Sequence, residues 1–69
     1  MNKWTRDNTA QRVVHILKIA GYTQQELAGI LDVAFVTVNR WVNGHTIPDR
    51  RSQKTLDHIE LTYTKGDEQ

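Results

Sequence analysis

Residues 22–48 read YTQQELAGILDVAFVTVNRWVNGHTIP, and this stretch decides the fold. Thr23 followed three residues later by Glu26 is a capping box. The hydroxyl takes an orphan amide of a new helix, and the carboxylate returns to the amide of the cap. Tyr22 before the cap and Leu27 after it complete a hydrophobic staple. Leu27, Ile30 and Leu31 fall on one helical face, so that face is expected to be buried. Ala28 is small enough to admit a close neighbour. The helix must stop near Leu31, which leaves it about eight residues long, too short to stand alone in water. A second helix is predicted over 35–42. Val38 and Trp41 are its inward stripe, Val42 lies alongside, and Asn43-Gly44 is its stop. Two short helices joined by about three residues, with a small residue in the first and an apolar stripe in the second, make a helix-turn-helix.

The flanks extend the helical pattern. Asn8 followed by Gln11 predicts a cap and a first helix over 9–20, with Val13, Ile16, Leu17 and Ala20 on one face. Gly21 supplies its left-handed stop. After a loop over 44–48, Asp49 caps a fourth helix of roughly a dozen residues. Leu56, Ile59 and Tyr63 share one side of it, and Leu61 faces the other way. Residues 1–7 read as a loose arm, 8–64 as the domain with the helix-turn-helix at 23–43, and 65–69 as a frayed tail. There is no repeat and no convincing strand signal. The expected architecture is all-α, with four short helices or five.

Sixty-nine residues and 8.0 kDa hold one small domain. No cysteine is present, so disulfides and thiolate zinc sites are excluded. His15, His45 and His58 are too scattered to suggest a metal set. Ser52 with a His and an Asp is a trio that any chain offers, and there is no glycine-rich phosphate loop. No apolar run approaches the roughly 20 residues of a membrane span, and the N-terminus lacks the apolar segment of a secretion signal. A binding module is therefore expected, with no enzyme activity, metal, cofactor or membrane partner, located in the cytoplasm among the nucleoid. The net charge is only +1, but it is unevenly spread. Lys3, Arg6, Arg12 and Lys18 face only Asp7 in residues 1–18, and Arg40, Arg50 and Arg51 face only Asp49 in residues 40–51. Acidic segments follow each basic one. Brought together, the basic segments would form a patch for phosphates; kept apart, they are an ordinary solvated surface.

Thr23-Gln24-Gln25-Glu26-Leu27-Ala28, Leu31-Asp32-Val33, Thr37-Val38-Asn39-Arg40-Trp41, Asn43-Gly44 and Pro48 together resemble the Cro/phage-repressor (XRE, lambda-repressor-like) helix-turn-helix family. The specific match runs from Tyr22 to Pro48, and a looser match in helix order from Thr9 to Tyr63. The resemblance implies a bacterial or phage transcription regulator, most often a repressor. Its recognition helix, 35–42, would lie in the major groove of double-stranded operator DNA. Phe35, Val36, Asn39 and Arg40 match base-contacting positions. Arg40 suits guanine, Asn39 adenine, and the apolar pair thymine methyls. Gln24 and Asn43 match phosphate-contacting positions. Arg50 and Arg51 add charge nearby, His45 is a weaker candidate, and Lys3 or Arg6 would reach from the arm.

The sequence also departs from the family pattern. Ala34 stands where relatives carry a capping Ser or Thr, Asp32 where they often have Gly, and Val42 where an acid is common. Relatives often add a further helix that supplies a dimer contact. A homodimer is still expected here, with Leu61 and Trp4 as its candidate contacts. The alternative readings are an antitoxin-like module that binds a protein partner, or a DNA-bending accessory factor with the same fold.

Overall fold

The computed structural model describes residues 3–67, with side chains through Thr64. Its described residues form four helices and no strand: α1 (Arg6–Ala20), α2 (Gln24–Leu31), α3 (Phe35–Val42) and α4 (Arg50–Asp67). The architecture is all-α, as the sequence implies. α2 packs on α3, and α1 packs on both α3 and α4. Val13, Ile16, Leu27, Val38, Trp41 and Leu56 meet at the centre, each almost fully buried. Leu17, Ala20, Tyr22, Val33 and Val42 close the edges of this core.

Local chemistry sets most boundaries. At α2, the Thr23 hydroxyl accepts the Glu26 amide at 3.1 Å, and the Glu26 carboxylate accepts the Thr23 amide at 2.9 Å. α1 ends at Gly21, whose φ of 74° is the left-handed conformation that glycine adopts without penalty. Asp32 takes the same role after α2, with φ 59° and ψ 47°, and Val33 closes the turn by donating its amide to the Ala28 carbonyl at 3.0 Å. Tyr22 and Tyr63 meet edge-to-face, with ring centroids 6.3 Å apart and hydroxyls 3.4 Å apart.

Four expectations need correction. First, α1 starts at Arg6, a turn before the expected 9–20. Its cap is Thr5, whose hydroxyl accepts the Asn8 amide at 3.2 Å while Asn8 Oδ1 accepts the Thr5 amide at 3.0 Å. Asn8 is the partner in the box and not the cap. Second, the loose arm over 1–7 is tied down. Trp4 is only 6% exposed, and its Nε1 donates to Asp57 on α4 at 2.9 Å. Trp4 is therefore core and no candidate for a dimer contact. Third, Ile30 is exposed, and Ala28 takes its place in the buried face of α2. Fourth, α4 continues through 65–67, part of the expected tail. Residues 1–2 and 68–69 of the expected arm and tail lie outside the described residues.

Arg12 joins α1 to α4. It donates to Glu60 from Nη2 at 2.7 Å and from Nε at 3.3 Å, donates to Asp57 from Nη2 at 3.1 Å, and its guanidinium carbon lies 3.7 Å from the Trp4 ring centre. This basic residue of the first segment is neutralised inside the fold.

Candidate nucleic-acid interface

α3 owes its orientation to Val38 and Trp41, which are buried on its inner side. Helical spacing then turns Val36 and Arg40 outward, one turn apart. Val36 is 50% exposed and Phe35, at the start of the helix, 46%. The Arg40 side chain is exposed and makes no hydrogen bond or ion pair among the described residues, while its carbonyl accepts the His45 amide at 2.9 Å. Ala34, the N-cap of α3, makes no side-chain bond to the helix, as its methyl group requires.

Asn39 and Asn43 differ from their neighbours. Asn43 Nδ2 donates to the Asn39 backbone carbonyl at 2.8 Å and to Asn39 Oδ1 at 3.1 Å. Asn39 Nδ2 donates to Gln24 Oε1 at 3.1 Å, which bridges α3 to the first residue of α2. The structure thus brings Gln24, Asn39 and Asn43 together on one edge of α3. Asn39 is partly buried there, and both arms of its amide are engaged. The one-turn spacing of Asn39 and Asn43 was a readable signal for their contact. The link to Gln24 was not, because it depends on how two helices cross.

Arg50 and Arg51 are exposed at the start of α4. Arg51 is 4.0 Å from Asp32, which places it beside the turn entering α3. Both side chains of that pair are more than three-quarters exposed, so the pair contributes little and leaves Arg51 available. Arg6 and Lys3 are exposed too, but Lys3 is tethered through its carbonyl, which accepts Asn8 Nδ2 at 2.8 Å. The reach expected of a free arm is correspondingly reduced.

A helix-turn-helix with an outward α3 of this composition agrees with the comparison against known families. The family model described as helix-turn-helix, of the Cro/phage-repressor type, matches residues 4–60. The chain belongs to the XRE helix-turn-helix family. No curated protein and no solved structure matches it. This XRE-family domain is of the DNA-binding, transcription-regulator type, a family that is typically non-enzymatic. The family match covers Trp4, so the segment that packs against α4 belongs to the domain. No helix among the described residues is long and apolar enough to cross a membrane.

Proposed function

We propose that this XRE-family chain is a sequence-specific repressor of bacterial or phage type that occupies a double-stranded operator, with α3 as its recognition helix in the major groove. The observation that carries this reading is the outer face of α3. The Arg40 side chain, which makes no hydrogen bond or ion pair among the described residues, stands one turn from Val36; both are exposed, as is Phe35 at the start of the helix. A guanidinium forms two hydrogen bonds to guanine, and apolar groups discriminate thymine by its methyl. Gln24 at the start of α2, with Arg50 and Arg51 on α4, holds the phosphates and fixes the register. A single domain of this size covers one half-site, so two copies bind half-sites about one helical turn (~34 Å) apart. Leu61, 66% exposed on α4, is available for contact between copies.

Selection of duplexes from random DNA, followed by titration with wild type and Arg40→Ala, tests the proposal. Wild type is expected to select a two-fold symmetric motif containing guanine and thymine. Arg40→Ala should lose about 1–3 kcal/mol against that motif and little against scrambled DNA. Replacing the selected thymine by uracil, which removes only the methyl, should weaken wild type. Equal binding to all sequences would overturn the reading. Preference for the motif with no effect of Arg40→Ala would remove Arg40 as a base reader.

A further inference from the structure

The amides of Asn43, Asn39 and Gln24 form a chain with a direction. A primary amide accepts through its oxygen and donates through its nitrogen. Asn43 spends its NH2 on Asn39 Oδ1 and on the Asn39 carbonyl. Asn39 spends its own on Gln24 Oε1. With Oε1 held inward, Gln24 has its Nε2 on the other arm of the amide, and that nitrogen has no partner among the described residues. Each link passes the donor forward, so a hydrogen-bond donor is presented at the start of α2. A phosphate oxygen only accepts, so this polarity suits it, and the reversed chain would present an oxygen and repel it.

We infer that Asn39 and Asn43 are positioning residues that turn the Gln24 NH2 toward a DNA backbone phosphate, and that neither reads a base. The inference rests on the DNA-binding reading above. It departs from the matching of Asn39 to adenine and of Asn43 to phosphate, because both hydrogens of the Asn43 NH2 are spent within the protein and the Asn39 amide, with one hydrogen spent on Gln24 and its oxygen accepting from Asn43, is held by a bond on each arm. It also couples two functions. The residue that locks α3 against α2 also sets the backbone grip, so α3 and the phosphate contact keep a common register.

The test places a single methylphosphonate at each backbone position of the selected duplex. Wild type, Gln24→Ala, Asn39→Asp and Asn43→Ala are titrated at a temperature where thermal unfolding shows all four folded. At one phosphate per half-site, wild type should lose about three- to tenfold more affinity than Gln24→Ala does, the worth of one hydrogen bond. Asn39→Asp should behave there like Gln24→Ala, because a carboxylate can only accept and draws the Gln24 NH2 inward. Asn43→Ala should give a smaller loss at the same phosphate. All variants should keep the base preference of wild type. If Asn39→Asp instead keeps the wild-type phosphate profile and loses preference at one base pair, Asn39 is a base reader and the inference fails. If wild type itself prefers no sequence, the DNA-reading proposal fails first, and this outcome is distinct from the other.

Discussion

Asp49 shows how much one side chain at a helix start can do. Its Oδ2 accepts the Ser52 amide at 3.3 Å, and its carbonyl accepts the Gln53 amide at 2.8 Å, so it caps α4. The hydrogen bond from the Ser52 side chain holds the carboxyl below its ordinary value of 3.8, with backbone amides of Ser52 and Asp49 and the charge of Arg51 assisting against desolvation. A carboxyl lowered in the folded state prefers to fold ionised. Its contribution is therefore complete above the ordinary value and disappears as pH falls through the lowered one. Asp49→Ala is expected to cost about 1 kcal/mol at neutral pH, the usual worth of a cap. The gap between wild type and Asp49→Ala should close as pH drops below about 4. Asp49→Asn, which caps without titrating, should keep its advantage over alanine. Thermal unfolding followed by circular dichroism between pH 7 and 2.5 measures all three. A gap that stays constant across that range would assign the cap to the neutral side chain.

At the scale of the element, α3 is the helix with an empty cap position. Its N-cap backbone already has the extended conformation, with φ −71° and ψ 150° at Ala34, close to the −83° and 166° of Thr23, which does cap. A serine at 34 needs no backbone movement to reach the Thr37 amide. Ala34→Ser should therefore raise stability by about 1 kcal/mol, or roughly 4–8 °C in Tm for a domain of this size. An unchanged or lower Tm in chemical and thermal melts would show that a hydroxyl there does not bond the helix. The same comparison explains what could be read in advance. The α2 box, the left-handed stops at Gly21 and Asp32 and the bare Ala34 are all local chemistry, visible within a few residues. The start of α1 is less legible: its cap pairs Thr5 with Asn8, a weaker signal than Thr with Glu, and the segment before it is held by a remote contact, Trp4 to Asp57, 53 residues away. Ile30 shares the apolar stripe of α2, but the helix buries the side that carries Leu27, Ala28 and Leu31 and leaves Ile30 exposed. In the candidate site, Phe35, Val36 and Arg40 were legible as outward positions once Val38 and Trp41 were read as inward. The hydrogen bonds of Asn39 were hidden, because they depend on the crossing of two helices.

At the scale of the whole molecule, charge is sorted by folding. A chain of net charge +1 has little long-range attraction for DNA, so affinity must come from where its cations end up. Arg12 is covered: its side chain is 12% exposed and paired with Asp57 and Glu60, and it takes little part in the external field. Arg40, Arg50 and Arg51 stay at the surface on α3 and α4, and Arg51 loses little to its loose pairing with Asp32. Each cation seated on a phosphate releases counterions, giving a slope of about −0.9 in log K against log salt. Binding of the selected duplex should therefore weaken steeply with salt, and Arg50→Ala or Arg51→Ala should each make the slope shallower by about one. Arg12→Gln should leave the slope unchanged, although it leaves two carboxylates between α1 and α4 without their cation and should lower Tm. Titrations at several salt concentrations, run below the Tm of every variant, separate the two kinds of arginine. A slope reduced by Arg12→Gln as much as by Arg50→Ala would mean that the Asp57 and Glu60 pairings open when the protein meets DNA. The basic residues of α1 would then belong to the binding surface.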